Sequence, residues 1–96
     1  MTPEQIKHVQ TTWKMVLPIA KDVADIFYAR LFELDPRVRG LFKEDMSLQK
    51  VQLMQTLGVA VTSLDRLHDI LPAVQDLGKR HVAYGVRDED YATVGA

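Results

Sequence analysis

Ile70, Val74, Leu77 and His81 follow one another by four, three and four residues, so on an α-helix they share one stripe, in which His81 is the polar member. An imidazole on such a stripe points inward. Its ring nitrogen can offer a lone pair to something buried, the iron of a haem being one candidate. Lys79 and Arg80 take the outward positions beside it. Taken alone, His81 reads more readily as a core histidine that hydrogen-bonds its surroundings than as a ligand. His8 lies off the apolar stripe of its segment and His68 falls between segments, so both are expected to be exposed. The chain has no serine or cysteine nucleophile motif, no glycine-rich phosphate loop and no His-Glu pair at metalloprotease spacing. Gly78 and Gly85 are too isolated to cradle a phosphate.

The elements that must position His81 are helical throughout, because apolar residues recur at helical spacing and never alternate cleanly with polar ones. The expected class is all-α. Thr2, Pro3 and Gln5 form a helix start with a capping box, ahead of a stripe of Ile6, Val9, Trp13 and Val16 or Leu17. Pro18 bends or restarts the helix. A second stretch carries Val23, Ile26, Phe27, Leu31 and Phe32 and ends at Asp35-Pro36, followed by a short apolar segment from Val38 to Phe42. Asp45 or Ser47 caps a third long helix, Leu48 to Leu64, whose Val51, Leu53, Met54, Leu57, Val61 and Leu64 make a broad stripe suited to deep burial. Residues 65–69 read as a linker, Pro72 as part of the first turn of the next helix, and Gly85 as its left-handed cap. Residues 87–90 read as a loop and cap, and residues 91–96 as the start of a further helix. Trp13, Met46 and Met54 read as packing residues.

Composition bounds the partners. Ninety-six residues allow one small domain with little margin of stability, and 47% apolar content with a formal charge of −1 describes an ordinary globular chain. No basic patch dominates, which argues against nucleic acid. The absence of cysteine excludes disulfides, thiolate catalysis and sulfur-ligated zinc. No apolar run reaches membrane-spanning length, so the expectation is a cytoplasmic chain with no membrane partner.

Three stretches in order carry a family likeness: residues 27–32 (Phe-Tyr-Ala-Arg-Leu-Phe) followed by Asp35-Pro36, residues 38–42 (Val-Arg-Gly-Leu-Phe), and residues 77–86 (Leu-Gly-Lys-Arg-His-Val-Ala-Tyr-Gly-Val) with Tyr91 and Val94-Gly95 after them. With these spacings the whole chain resembles the globins, in particular the bacterial single-domain and flavohaemoglobin-like branch, with similarity to neuroglobin as well. The resemblance implies haem b (iron protoporphyrin IX) as cofactor and His81 as the proximal iron ligand. By the same carry-over Gln49 takes the distal, ligand-facing position, Leu53 the apolar position one turn later, Phe42 the haem-packing corner and Tyr28 the distal tyrosine. Val86 is placed among the residues lining the cofactor. Tyr91 is placed where this branch has a tyrosine that, with a glutamate of the last helix, hydrogen-bonds the proximal histidine.

The implied function is the binding of a diatomic gas (dioxygen, nitric oxide or carbon monoxide) at ferrous iron, with Tyr28 and Gln49 as donors to dioxygen and the sixth position open or filled by water. It extends to dioxygenation of nitric oxide with a separate reductase, or a peroxidase-like side activity. Measured against the family pattern, the chain is one globin domain, residues 1–96, that lacks the last two helices. The apolar surface this exposes is expected to be covered by self-association or by a complementary C-terminal segment. A fragment, an oligomer and an engineered minimal globin are all open at this point. The rival function is a haem-free helical interaction or regulatory module.

Overall fold

Thr2 closes the first helix from both sides: its hydroxyl accepts the Gln5 amide at 3.2 Å and its own amide donates to Gln5 Oε1 at 2.9 Å. The computed structural model describes residues 1–96, and every regular element in it is helical. Helix α1 runs Pro3–Val16, with the proline at the first helical position, where its missing amide costs nothing. Ile6, Val9, Trp13 and Val16 are half-buried, whereas Leu17 is exposed, so Val16 completes the stripe. Pro18 interrupts the helix as expected. A 3₁₀ turn, Leu17–Ile19, carries the chain into α2, Ala20–Leu34.

The buried face of α2 is Ala24, Tyr28 and Leu31, with Phe27 and Phe32 beside it. Ile26, expected in the buried stripe, is instead 69% exposed. The reason is angular: two residues on from Ala24 is about 200° around the helix, on the opposite side. Asp35 then starts a 3₁₀ segment, Pro36–Leu41, by accepting the Arg37 amide at 3.2 Å, and Val38 is buried within it. Arg39 ties down the corner that follows. Its guanidinium donates to the carbonyls of Phe42, Lys43 and Glu44 at 3.0–3.2 Å and lies over the Phe32 ring, 5.3 Å from its centre.

Helix α3 runs Ser47–Thr62, and the Asp45 carboxylate accepts both the Ser47 amide (3.0 Å) and its hydroxyl (2.7 Å). Those bonds hold the Asp45 carboxyl below its ordinary pKa. Of the broad stripe expected here, Leu53, Met54, Val61 and Leu64 are half-buried, but Val51 (53%) and Leu57 are exposed and none is deeply buried. The stripe is wider than the single helix, α2, that covers one part of it and the helix, α1, that covers another. Trp13 of α1 packs on Gly58, where a Cβ would stand 3.5 Å from its ring. Gln10 of α1 donates to the Val61 carbonyl at 3.1 Å, satisfying an end of α3 that has no further turn to bond to.

The expected linker at residues 65–69 is helical instead: a 3₁₀ turn, Leu64–Arg66, runs directly into α4, Leu67–Ala83. Ile70 and Leu67 extend the apolar stripe one and two turns back from Val74, which draws the helix start with it. Pro72 therefore stands in the second turn, not the first. It removes the amide that the His68 carbonyl would have accepted. At the other end the left-handed cap is present: Gly85 has φ +93°, its amide donates to Val82 and the Val86 amide to His81, both at 3.1 Å. The last helix, α5, spans Asp88–Gly95, so residues 88–90 form its first turn rather than a loop, with the Arg87 amide donating to Asp90 at 2.9 Å.

The principal packing joins α2 to α3, with α1 on α3 and α5 on α2, while α4 packs mainly on the 3₁₀ turn before it. The core is accordingly small, centred on Tyr28, Leu31, Val38 and Met46. The radius of gyration is 14.3 Å, against about 12.5 Å for a compact domain of this length. The arrangement is open, and the apolar stripe of α4 stays largely in contact with solvent, Val74 being 48% exposed. No helix is long and apolar enough to cross a membrane.

Candidate functional site

Tyr28 is the centre of the site. Its place on the inner face of α2 buries it to 4% exposure, and three aromatic rings enclose it: Phe27 edge-on at 5.1 Å, Phe42 edge-on at 5.4 Å and Phe32 tilted at 6.0 Å between centres. Gln49, in the first turn of α3, donates from Nε2 to the Tyr28 hydroxyl at 3.2 Å. Two residues 21 apart in sequence are thus joined across helices. Having accepted from Gln49, the phenol oxygen keeps its own proton to donate, and accepting strengthens that donation. Burial raises the Tyr28 pKa above the ordinary phenol value, opposed by the Gln49 bond and the charge of Lys50. The hydroxyl therefore holds its proton throughout the neutral range.

Leu53, one turn on from Gln49, packs against the same cluster, and Phe42 is placed by the corner that Arg39 ties down. Of the residues singled out in the sequence, Tyr28, Phe42, Gln49 and Leu53 are brought together. Behind Tyr28 lies a polar hollow of ≈ 450 Å³, whose wall also includes Asp25, Arg39 and Lys50.

His81 sits in the last turn of α4, half-buried rather than turned fully inward. The cause is the thin packing of α4. Its Nδ1 lies 2.7 Å from the Leu77 carbonyl, one turn back. A carbonyl only accepts, so Nδ1 carries the proton; in the neutral ring Nε2, at the far end, then keeps its lone pair. An aromatic neighbour, Tyr84, stands edge-on with centres 5.8 Å apart. His8 and His68 are exposed, as expected.

Tyr91 was expected to bond the proximal-side histidine, and here it does not. The Nδ1 proton is taken by Leu77, and Tyr91 lies on α5, which packs on α2, with 52% of its surface exposed. Val86 is half-buried just beyond the glycine cap. Three residues that sequence reasoning passed over matter to the geometry: Lys50 and Asp25, which pair across α2 and α3 at 2.9 Å, and Arg39. Opposite charges at 25 and 50 carry no local signal; only the packed helices make them neighbours.

By chemical type this donor set suits an iron porphyrin, with the His81 imidazole, an apolar wall of Phe42 and Leu53, and a protonated phenol supported by an amide, while α4, which carries His81, packs mainly on the 3₁₀ turn before it and not on the Tyr28 cluster. The globin family model matches residues 25–96. Neuroglobin-1 of Oncorhynchus mykiss is 27% identical over 99% of this chain and 69% of its own length. Neuroglobin of Tetraodon nigroviridis is 32% identical over 73% of this chain and 53% of its own. A flavohemoprotein of Bacillus subtilis is 26% identical over 94% of this chain, which spans 23% of that protein.

Proposed function

Since the chain belongs to the globin family, we propose that residues 1–96 act as one haem-binding globin domain that takes up a diatomic gas. Haem b would supply the iron at which dioxygen, nitric oxide or carbon monoxide binds. In this reading His81 presents Nε2 as the proximal ligand, and its Nδ1–H bond to Leu77 fixes the tautomer and raises the basicity of the ligating nitrogen. Phe42, Leu53 and Val86 provide apolar contact and keep water away from the reacting face. Tyr28 donates its proton to a ligand that gathers negative charge, and Gln49 holds the phenol in place.

The hydrogen bond from Gln49 to Tyr28 carries this reading, because it joins the two residues assigned to the ligand-facing side and, being accepted by the phenol, leaves the phenol proton free to donate. The physiological use follows from what reaches the site: storage or sensing of dioxygen, or dioxygenation of nitric oxide to nitrate with electrons from a separate reductase. Titration with haemin tests the reading. A Soret band that shifts on binding, is lost in His81→Ala and is five-coordinate in the ferrous form is the expected result; no shift, or a His81→Ala spectrum like the parent's, refutes it.

A second reading draws on the exposed apolar stripe of α4. A haem-free interaction module would use that stripe for a partner helix, and it predicts no haemin response at all.

A further inference from the structure

Two side-chain bridges join α2 to α3 next to one another. Gln49 donates to Tyr28 at 3.2 Å, and its neighbour Lys50 reaches Asp25, one turn before Tyr28, at 2.9 Å. The Lys50 and Asp25 side chains are 33% and 44% exposed, so their charges are only partly screened by water. Both line the hollow that Tyr28 walls, together with Arg39, Glu44 and Asp45. Arg39 is committed to three backbone carbonyls and Asp45 to Ser47, which leaves Lys50 as the cation acting on the phenol. Its charge works in the same direction as the Gln49 bond: both favour negative charge on the Tyr28 oxygen.

We infer that Lys50, held by Asp25, is a positioning residue for the Tyr28–Gln49 pair, fixing the first turn of α3 against α2 and strengthening Tyr28 as a donor, so that ligands gathering negative charge are favoured over neutral ones. A cation near a phenol stabilises the charge the oxygen acquires as it gives up its proton, which makes the O–H a better donor. Dioxygen on ferrous iron draws charge from the metal, whereas carbon monoxide draws little. Lys50 therefore separates the two without touching either. The consequence for ligands rests on the haem reading above, but the effect on Tyr28 does not.

The test uses the full chain labelled with 3-fluorotyrosine, whose electron-poor phenol titrates below the lysine range. The fluorine signals of Tyr28, Tyr84 and Tyr91 are assigned by single Tyr→Phe variants and followed against pH. Lys50→Met should raise the Tyr28 midpoint by on the order of half a pH unit and leave the other two unmoved, while Lys50→Arg keeps the parental value. On the haem-loaded protein Lys50→Met should release dioxygen faster, by at most roughly threefold, which is that half unit if felt in full by the hydrogen-bonded ligand, with carbon monoxide release unchanged. An unmoved Tyr28 signal in a variant of parental helicity overturns the inference. So does an equal acceleration of both gases, which would mean a mechanical latch alone. If Lys50→Met loses helicity, Lys50→Gln replaces it: loss of the same charge should raise the Tyr28 midpoint too, and a midpoint that stays put overturns the inference equally. Failure to bind haem refutes the gas-binding reading and leaves the fluorine titration to decide the role of Lys50.

Discussion

Gly85→Ala should destabilise the chain by about 1 kcal/mol, through the backbone alone. Gly85 holds φ +93°, and a methyl group there would meet only Leu41 Cδ2, at an ordinary contact distance of 3.6 Å. No clash contributes. Placing an L-residue in the left-handed region costs roughly 1–2 kcal/mol, and the smaller entropy of an unfolded alanine offsets about 0.4–1 kcal/mol of that. The net loss of about 1 kcal/mol corresponds to a fall in Tm of roughly 4–8 °C for a domain of this size. Gly85→Asn should lose less, because asparagine enters this region more readily, and Gly85→Val should lose more. The site should feel the change, since the strained cap holds the Val86 amide on the His81 carbonyl. Loss of haem to a scavenger protein should therefore quicken in the order Gly, Asn, Ala, Val. Thermal melts followed by circular dichroism give the stabilities and transfer of the Soret band gives haem loss. Alanine and valine variants within about 0.3 kcal/mol of the parent would refute the reasoning, because the positive φ would then be a local choice with no energetic demand behind it.

Tyr28→Phe keeps the ring packing but removes both the acceptor of Gln49 and the donor; loss of a hydrogen bond worth about 0.5–1.5 kcal/mol should speed dioxygen release up to roughly tenfold in stopped-flow mixing, with carbon monoxide unaffected. Asp45 is held below its ordinary pKa by Ser47, so its stabilisation of the start of α3 is complete above the unfolded carboxylate pKa of about 3.9 and is lost as pH falls through the lower folded value. Asp45→Asn, whose amide oxygen can still accept from Ser47, should flatten that acid limb in melts run from neutral to acidic pH, and an unchanged limb would show that Asp45 does not contribute to it. Gly58→Ala should stabilise by up to about 1 kcal/mol in urea unfolding, because its methyl group would meet Trp13 at 3.5 Å, an ordinary contact, while a mid-helix glycine is removed. Destabilisation instead would mean that the ring has no room to accommodate it.

Local signals in the sequence translated directly. Thr2, Pro3 and Gln5 specify a helix start through contacts three residues apart, and Gly85 specifies a left-handed cap, so neither depends on the rest of the fold. The grouping of Tyr28, Phe42, Gln49 and Leu53 was legible only through family resemblance, since nothing local announces that residues 28 and 49 will meet. Periodicity failed in a consistent way. It says which residues share a face but not how much of that face finds a partner, hence the exposure of Val51 and Leu57 on α3 and of Val74 on α4. Ile26 and the misplaced start of α4 show the companion error, in which a plausible stripe or a proline outweighed the angle and the reach of neighbouring apolar residues. The Lys50–Asp25 pair and the grip of Arg39 on its corner arise from tertiary placement, and the sequence held no trace of them.

The seating of Trp13 against Gly58 gives the chain a built-in optical gauge. It is the sole tryptophan, and its indole rests on a helix that begins more than thirty residues later. Tryptophan emission, excited apart from the three tyrosines, thus reports one event, the closing of α1 onto α3, and is silent about helices forming in isolation. Circular dichroism would register those helices first. The interval between the two signals in a rapid-mixing experiment would time the long-range closure by itself, with no label and no added chromophore.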